Sequence, residues 1–342
     1  MAASERVVLH VLPHAGGGGD TYVDVLCAMG GYRFARLYIT PKRKPGVGEV
    51  VSRVFDLRRA LRGYDLLHVH GEGAGAMFLP LLAARRSIAT LHGVHLVRRA
   101  TGVRRSAAAV NLQAIIRAAS RTICVSHAER EEVAGFVGHG AMARTVVVHN
   151  GAQVMARAGA AERSAVRREL GIDDSTPVGI WVGSLDERRD PLSVVRAAAR
   201  TSTPVVFVGD GPLRADVERA AGAEVRVLGQ RQDVPRLLGA ADFFVLMSER
   251  EGFSFAILEA MAHGLPALVA DVPENVEAVG DSGLAVPYGD ERAIAASFQQ
   301  LGDPEVRAEL GARARGRVLD LFSAEEMIAR TRAVYDEVLA SV

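Results

Sequence analysis

Two glutamates, Glu251 and Glu259, are separated by seven residues at a strand-to-helix junction in the sequence. The apolar run at 242–248 predicts a buried strand, and the run AILEAMA around the second glutamate favours a helix. Glu251 is therefore expected on the loop after the strand, and Glu259 about two turns into the helix, facing the same edge. Ligands bind at that edge of open α/β sheets, where backbone N–H groups of 252–255 suit phosphate or sugar oxygens. Two carboxylates placed there could each accept hydrogen bonds from a pair of sugar hydroxyls.

A glycine-rich stretch, HAGGGGDTY at 14–22, follows the first apolar run of the chain. Glycines allow the backbone to approach a ligand closely, as in loops that bind phosphate, and a flexible loop is the alternative. His92 ends another apolar run, which predicts a ring nitrogen at the end of a strand. A purely structural histidine is the alternative there.

Residues 251–266 read EGFSFAILEAMAHGLP. This segment resembles the frame E-G-F-x-x-x-x-L-E-A-M-A-x-G-x-P of family-four retaining glycosyltransferases, which have the GT-B fold, and the resemblance extends through most of the chain. It implies that Glu251 contacts the donor sugar and that Glu259 binds the ribose hydroxyls of the nucleotide. It also implies donor contacts from three residues on the intervening loop: Gly252, Phe253 and Ser254.

A second segment, WVGSLDERRDP at 181–191, resembles the family's V-G-R-L-x-x-x-K, in which an Arg and a Lys bind the donor diphosphate. Ser184 stands where the Arg is usual, and Arg189 stands in the position of the Lys. Arg189 can bind phosphate with two parallel N–H groups, so that difference is mild. Ser184 supplies a hydroxyl without a charge, so either Arg188 compensates or diphosphate binding is weaker than usual.

The resemblance also assigns residues in the remaining motifs. VLGQRQDVPRLL at 227–238 would lie against the nucleotide base through backbone groups, whereas Asp242, at a strand start, is expected to be structural. The glycine-rich loop would contact the donor across a cleft, TLHGVH at 90–95 would place a histidine near the reacting sugar, and LHVHGEGAG at 67–75 would lie near the acceptor. The residues implied are Gln230 and Arg231 for the base, Gly17 and Gly18 for the donor, His92 as a catalytic residue beside Glu251, and His70 and Glu72 on the acceptor side.

Short apolar runs that must position these residues recur in two sets of six along the chain. The first set lies at 7–12, 35–40, 66–70, 87–92, 122–126 and 145–150; the second lies at 177–184, 204–211, 224–229, 242–248, 266–270 and 283–287. Helical patterns between the runs, such as 49–64, indicate parallel sheets. We therefore expect two Rossmann-like, doubly wound α/β domains facing a cleft. The predicted limits are 1–157 for an acceptor-binding domain, 158–322 for a nucleotide-sugar-binding domain, and 323–342 for a helix that packs back on the first.

The charge is divided unevenly between the halves of this 342-residue chain, whose net charge is +1. Residues 1–157 hold 21 Lys and Arg against 10 Asp and Glu, and residues 158–342 hold 20 against 30. The basic half suggests an anionic partner, with solvated arginines as the alternative. The stretch 95–119, with Arg98, Arg99, Arg104 and Arg105, could lie on an anionic membrane, bind an acidic acceptor, or lead into a core helix. Nucleic acid is not expected as a partner.

Several classes of protein are disfavoured by what the sequence lacks. Its two cysteines, the absence of a signal-peptide pattern and the absence of a long apolar run predict a cytoplasmic protein, with peripheral association with the membrane's inner face left open. No Asp-x-Asp pair and no His/Cys spacing typical of a metal site occur, so neither a metal nor another cofactor is expected. The glycines at 16–19 do not continue as G-x-G-x-x-G, which argues against a dinucleotide-dependent oxidoreductase.

These observations predict a retaining hexosyltransferase that uses a nucleoside-diphosphate sugar as substrate and an acceptor hydroxyl, in cell-surface polysaccharide or glycolipid assembly. The acceptor is expected to be lipid-linked or anionic. A natural-product or soluble-glycan transferase, and a non-catalytic partner that binds nucleotide sugars, remain the alternatives. The Glu pair and Arg189 favour a transferase over an oxidoreductase or a non-catalytic binding partner, because a fold alone does not define a function.

Overall fold

The computed structural model describes residues 5–39, 63–155 and 159–341. The chain forms two compact units, one of Met1–Asn150 with Glu325–Val342 and one of Gly151–Ala324. The boundary after residue 150 lies seven residues before the predicted limit at 157, at the start of the segment that connects the units. Of the helix predicted at 49–64, residues 49–62 lie outside the described residues.

The first unit contains a six-stranded parallel sheet in the order β2-β1-β3-β4-β5-β6. Its strands are β1 Arg6–Leu12, β2 Tyr32–Tyr38, β3 Leu66–His70, β4 Ser87–Thr90, β5 Arg121–Cys124 and β6 Thr145–Val147. The helices of this unit that precede the second unit in the chain are α1 Gly18–Leu26, α2 Glu72–Met77, α3 Leu79–Ala84, α4 His95–Arg99, α5 Gly102–Ala118, α6 His127–Ala134 and α7 His139–Met142. Several strands are buried on both faces, because helices cover such a sheet from both sides, which explains their continuous apolar runs.

The second unit contains another six-stranded parallel sheet, in the order β12-β11-β10-β7-β8-β9. Its strands are β7 Gly179–Val182, β8 Val205–Val208, β9 Val225–Val227, β10 Phe243–Leu246, β11 Ala267–Ala270 and β12 Gly283–Val286. Its helices are α8 Ala160–Glu169, α9 Pro191–Thr201, α10 Arg214–Ala220, α11 Val234–Ala240, α12 Phe255–Ala262, α13 Pro273–Val279, α14 Glu291–Gln300 and α15 Pro304–Leu321. The two predicted doubly wound sheets are confirmed, and the largest shift of a strand start, three residues, is that of β2.

The last helix, α16 (Ala324–Ala340), lies in the first unit from Glu325 onward. Its Tyr335 is completely buried and packs edge-on against Tyr32 at a ring distance of 5.5 Å. Tyr32 also donates a hydrogen bond to Asp336 at 2.5 Å, and Arg121 pairs with Glu337. Residues at the end of the chain therefore complete a core that begins with β1.

Candidate functional site

The predicted donor-binding residues of the second unit lie at the carboxyl edge of its sheet. Ser184 and Arg189 follow β7, Gln230 and Arg231 follow β9, and the 251–254 loop follows β10. These strands belong to the contiguous row β10-β7-β8-β9, so their loops emerge side by side. Separation in sequence thus becomes proximity at one edge, the usual location of ligands in such sheets.

Glu251 is held by two arginines from the loop after β7. The residue is 8% exposed, and its Oε1 lies 3.3 Å from Nε of Arg189 and 3.5 Å from Nη1 of Arg188. Arg188 also donates to the carbonyl of Arg250 at 2.5 Å. A second guanidinium thus lies beside Arg189, in a position where Arg188 could compensate for Ser184; the alternative, weaker diphosphate binding, stays open.

A sharp turn presents Arg189 to this carboxylate. The side chain of Asp186 caps the short 3₁₀ helix Glu187–Arg189 by accepting a hydrogen bond from the backbone N–H of Arg189 at 3.1 Å. Asp190 then adopts a left-handed backbone (φ 45°) and begins α9. Asp tolerates this conformation better than most L-residues, so the turn is sequence-encoded and fixes the direction of the arginine.

The loop that carries Ser184 is clamped to its neighbour after β8. A Cβ on Gly209 would lie 1.9 Å from the carbonyl oxygen of Gly183, and one on Gly211 would lie 2.4 Å from that of Leu185. The backbone N–H of Leu185 also donates to the carbonyl of Asp210 at 3.0 Å. Only glycine permits this approach, so the GDG sequence at 209–211 determines where the hydroxyl of Ser184 lies.

The 251–254 loop leads into α12, for which Ser254 is the N-cap residue. Phe253 is buried and packs edge-on against Phe322 at 5.0 Å, so its side chain anchors the loop. Glu259 lies in the second turn of the helix. Burial raises the pKa of its carboxyl to about 7, which makes the protonation of this group sensitive to a ligand near neutral pH.

Gln230 and Arg231 are exposed beyond β9. Arg231 forms two hydrogen bonds with Asp233, each 2.7 Å long, so its guanidinium is already engaged. A contact with a nucleotide base through backbone groups, as the resemblance implies, is compatible with this arrangement.

In the first unit, the glycine-rich loop leads directly into α1. Gly16 and Gly17 have φ values of 83° and 88°, a left-handed region that favours glycine, and Gly18 is the first residue of the helix. Asp20 accepts a hydrogen bond from the backbone N–H of Gly16 and one from the hydroxyl of Tyr38 at 2.8 Å. The loop is therefore held in a defined shape at the carboxyl end of β1.

His92 follows β4 in a strained conformation, with a φ of 58°. Two buried carboxylates hold the loop that follows it: Glu129 accepts a hydrogen bond from the backbone N–H of Gly93, and Glu72 accepts one from Leu96 at 2.7 Å. Non-glycine residues with positive φ occur at functional sites when the surroundings compensate for the strain. These two carboxylates supply that compensation.

The two predicted acceptor-side residues do not present their side chains to solvent. His70 is 1% exposed, and its Nδ1 lies 2.8 Å from Nε2 of His92. Glu72 is buried, and its burial raises the pKa of its carboxyl to about 7. Their acceptor-side role stays a prediction, and from these positions they would act through His92 and its loop.

Sequence reasoning missed His10 and His68, which are buried in β1 and β3 and directly opposite each other in register. Together with His70 they form a cluster whose ring nitrogens lie within 4.8 Å of one another. The available signal was the presence of histidines in two otherwise apolar strands: VLHVL contains His10, and LLHVH contains His68 as well as His70.

The basic stretch 95–119 divides into engaged and exposed arginines. Arg98 binds Glu132 through Nε at 2.7 Å, and Arg105 lies 5.4 Å from the ring centre of Phe136. Arg99 and Arg104 are exposed. Two valines one heptad apart on α5 are also exposed: Val103 (87%) and Val110 (66%). Among the described residues, no helix is long and apolar enough to cross a membrane.

Both halves of the chain match known families. Residues 176–303 match the model described as Glycosyl transferases group 1, and residues 5–154 match Glycosyltransferase Family 4. The chain resembles Anabaena HepE, whose crystal structure contains UDP and glucose, with a TM-score of 0.82 and 18% identity over 99% of this chain and 100% of that one. Fold and family matches define a glycosyltransferase with the GT-B fold.

Relatives of known name refine this class. D-inositol 3-phosphate glycosyltransferase of Kineococcus radiotolerans is 30% identical over 77% of this chain and 69% of the relative. UDP-Gal:alpha-D-GlcNAc-diphosphoundecaprenol alpha-1,3-galactosyltransferase of Escherichia coli is 26% identical over 81% and 76%. N-acetyl-alpha-D-glucosaminyl L-malate synthase of Bacillus anthracis is 31% identical, but only over 52% of this chain and 50% of that protein. The chain belongs to glycosyltransferase family 4.

Proposed function

We propose that this glycosyltransferase moves a hexose-type sugar from a nucleoside-diphosphate donor to an acceptor hydroxyl, with retention of anomeric configuration, in cell-surface polysaccharide or glycolipid assembly. The observation that carries the proposal is the group formed by Glu251, Arg188 and Arg189 at the carboxyl edge of the second sheet. It places two cations and a carboxylate where a ligand binds in this type of sheet.

The proposed reaction breaks the bond between the anomeric carbon and the diphosphate and forms a bond to the acceptor oxygen on the same face. The acceptor's proton passes to the leaving diphosphate. Arg188 and Arg189, with the N-terminus of α12, stabilise the charge that develops on that group, so the reaction needs no metal ion. Glu251 binds the donor sugar, and Glu259 binds the ribose hydroxyls.

The names of the relatives support the proposed donor and acceptor classes. UDP and glucose are present in the HepE structure, and the Escherichia coli relative is named for UDP-Gal and a diphosphoundecaprenol acceptor. These names favour a UDP-sugar donor and a lipid-linked acceptor carrying a diphosphate. The excess of basic residues in 1–157 is the complementary charge for such an acceptor.

We also propose that α5 binds the anionic inner face of the membrane, where a lipid-linked acceptor would be found. Val103 and Val110 are exposed apolar side chains one heptad apart on α5. The exposed Arg104 on the same helix and Arg99 at the end of α4 carry positive charge close to them in sequence. Buried apolar area and attraction to anionic lipid together determine such binding. Cosedimentation with vesicles containing phosphatidylglycerol tests it, and the paired variant Val103→Asp with Val110→Asp should lose binding, as should Arg99→Glu with Arg104→Glu. Equal binding by wild type and both variants would contradict the proposal.

Thermal unfolding in the presence of UDP, GDP, ADP, dTDP or NAD, each at millimolar concentration, tests the donor class. A ligand at about 100 times its dissociation constant should add about 2.7 kcal/mol to the free energy of unfolding. Stabilisation by one nucleoside diphosphate and none by NAD is the expected result. Stabilisation by NAD alone would contradict the proposed function.

Turnover with the corresponding nucleotide sugars then tests the reaction itself. The anomeric configuration of the product, measured by the proton coupling at the anomeric carbon, should equal that of the donor. An inverted product would refute retention. A protein that binds the nucleotide sugar and transfers nothing to lipid-linked, soluble-glycan or small-molecule acceptors would be a binding partner and not an enzyme.

A further inference from the structure

Three histidines form a hydrogen-bonded row from the middle of the first sheet to its carboxyl edge. His10 Nδ1 lies 2.8 Å from His70 Nε2, and His70 Nδ1 lies 2.8 Å from His92 Nε2. The His10 and His70 rings are buried, and the ring of Tyr22 packs edge-on against those of His70 and His92 at 5.3 and 5.2 Å. The outer end of the row is the residue that the resemblance places near the reacting sugar.

The rings of this row meet end to end. The two pairs have ring-centre separations of 5.1 Å each and interplanar angles of 22° and 24°. A nitrogen-to-nitrogen distance of 2.8 Å at that separation requires the facing nitrogens to lie close to the line joining the ring centres. Each contact is therefore a directional N–H···N hydrogen bond.

A second short row meets the inner end of the first. The hydroxyl of Tyr335 lies 2.8 Å from Nδ1 of His68, and Nε2 of His68 lies 2.7 Å from the hydroxyl of Thr90. The same tyrosine hydroxyl lies 3.5 Å from Nε2 of His10, a long contact. All the ring nitrogens of His10, His68 and His70 thus have a polar neighbour.

A metal ion is a poorer occupant of this cluster. Zinc needs about 2.0–2.1 Å to each nitrogen, so two nitrogens facing each other at 2.8 Å leave no space between them. The other nitrogens of the cluster face hydroxyls at hydrogen-bonding distance. The arrangement is that of a hydrogen-bonded network.

Every imidazole in the network is neutral at physiological pH. Burial lowers the pKa of His10, His68 and His70 well below the usual value, and burial followed by the charge of His95 lowers the pKa of His92 to about 4. A neutral imidazole has one N–H donor and one acceptor nitrogen. The nitrogen that carries the proton in one ring therefore determines which nitrogen carries the proton in the next ring along the row.

The tyrosine favours one of the two possible directions. The neutral phenol has one proton to donate, and of its two polar neighbours in the described network Nδ1 of His68 lies nearer, at 2.8 Å against 3.5 Å for Nε2 of His10, so the phenol donates to His68. His68 then donates from Nε2 to Thr90, and His10 directs its Nε2–H at the phenol oxygen. His10 Nδ1 accepts from His70 Nε2, and His70 Nδ1 accepts from His92 Nε2. This direction gives all four histidines a proton on Nε2, which is also the intrinsically preferred tautomer of neutral imidazole.

We propose that His10 and His70 are positioning residues that hold the proton of His92 on Nε2, so that Nδ1 of His92 is a hydrogen-bond acceptor for a substrate hydroxyl. The inference rests on the proposed function for the identity of that substrate, a sugar. The tautomer itself is a property of the free protein. It determines the direction of the hydrogen bond with the substrate: the substrate hydroxyl donates and Nδ1 of His92 accepts.

The test is ¹⁵N NMR of the histidine rings in the full-length protein, with His92 assigned from the signals lost in His92→Gln. We expect a proton-bearing nitrogen at Nε2 of His92 and a bare nitrogen at Nδ1. In His10→Phe, Nε2–H of His70 loses its acceptor, so the proton of His70 should move to Nδ1, the nitrogen that faces His92. The proton of His92 should then move wholly or partly from Nε2 to Nδ1. His10→Asn, whose amide oxygen can replace Nδ1 of His10, should restore the wild-type pattern.

Matched measurements separate this role from a structural one. His139→Gln alters an exposed histidine and should leave the His92 signals unchanged. With a donor sugar, His10→Phe should lower kcat/KM about five- to tenfold, the value of one neutral hydrogen bond, whereas His10→Asn should not. If His10→Phe fails to fold, the position of the His92 proton in the wild type still tests the inference. The position of the same proton in Tyr335→Phe, which lacks the hydroxyl at the inner end of the row, tests it as well.

A proton on Nδ1 of His92 in the wild type would overturn the inference, as would unchanged His92 signals in folded His10→Phe. Stoichiometric binding of Zn²⁺ that removes the ring protons of His10 and His70 would also overturn it. Failure of the proposed function looks different, because the protein would then bind and transfer no nucleotide sugar while the tautomer pattern and its response to His10→Phe remained.

Discussion

The two ends of β10 carry the same kind of ion pair, which we propose serves the fold at one end and ligand binding at the other. Asp242 immediately precedes the strand and pairs with Arg163, Arg167 and, at 4.0 Å, Arg307. Glu251 follows the strand by five residues and pairs with Arg188 and Arg189. At the first end, Arg163 lies 2.6 Å from one oxygen of Asp242, and Arg167 lies 3.0 Å from the other. At the second end, the corresponding distances are 3.3 and 3.5 Å.

The arginines differ as much as the distances. Arg167 is 1% exposed and also donates to the backbone carbonyls of Asp173, Thr176 and Ala240. Asp242 further accepts from the backbone N–H of Val178 at 2.8 Å, which ties β10 to the residue before β7. The expectation that Asp242 is structural is confirmed by these contacts.

Arg188 and Arg189 keep about a fifth of their side-chain surface exposed, and their contacts with Glu251 are long. Loose pairing leaves donor groups that can turn towards a diphosphate without breaking a saturated network. Ion pairs occur at both ends, so their presence alone does not distinguish a structural centre from a proposed binding one. The degree to which the donors are already satisfied does.

Asp242→Ala should produce the largest loss of stability. Removing the carboxylate leaves the buried guanidinium of Arg167 with only the exposed Asp174, at 3.7 Å, as a counter-charge among the described residues. Breaking a buried pair in this way costs about 3–5 kcal/mol. Chemical denaturation measures the change. Asp216→Ala, which removes an exposed carboxylate paired with Arg219, should cost less than about 1 kcal/mol. Equal costs at the two positions would remove the distinction between the ends of β10.

Glu251→Ala should produce the largest loss of turnover, about 10²–10³-fold, because it removes a group proposed to bind the sugar as charge develops. Thermal unfolding should remain close to that of the wild type, since the arginines it leaves behind still reach solvent. Glu249→Ala is the matched control, being a carboxylate on the same loop that pairs with Arg250. Activity near that of the wild type in Glu251→Ala would exclude it from the site.

Arg189→Ala should weaken nucleoside-diphosphate binding about tenfold, because a charge-assisted hydrogen bond contributes about 1.5–3 kcal/mol and Arg188 compensates for part of it. Isothermal titration at low and high salt measures both the loss and its origin. The affinity of the wild type should fall as salt rises, and that of the variant should fall less. Arg219→Ala, a surface arginine of the same unit, provides the control; a similar loss there would argue against a specific diphosphate contact.

The smallest effect is expected from pH at Glu259. Its pKa in the folded protein is raised to about 7, so the carboxylate forms only as pH rises through that value. If the ionised form accepts the ribose hydroxyls, nucleoside-diphosphate affinity should rise over this range in the wild type beyond any rise in Glu259→Gln. The free energy of unfolding should show the opposite sign, decreasing from the usual carboxyl range up to about pH 7, because the unfolded state ionises first. Identical pH profiles for wild type and variant would contradict this role.

The strands and the donor edge were predictable because they depend on local patterns. Continuous apolar runs marked all the described strands, and the frame around Glu251 and Glu259 marked a strand, a loop and a helix in one segment. The contact between Arg188 and Glu251 required the order of β10 and β7 in the sheet, which no local pattern contains.

The histidine network was beyond prediction for a related reason. β1 and β3 are neighbours although β2 separates them in sequence, and the register places His10 opposite His68 and His70 opposite Thr90. A shift of one residue would turn the side chains of a strand to the other face. Tyr335, on the last helix, enters the same network from another region of the chain.

Because α16 is synthesised last but belongs to the first unit, the order of synthesis affects how the protein folds. A ribosome releases β1 to β6 first and then all of Gly151–Ala324 before Tyr335 emerges to cover His68. Domains usually fold in the order in which they are made, but here the second unit can finish before the first. A released chain that ends at Ala324 would contain the whole second unit and lack the final cover of the first sheet, so chaperones should recognise it through its first unit, although that unit was translated first.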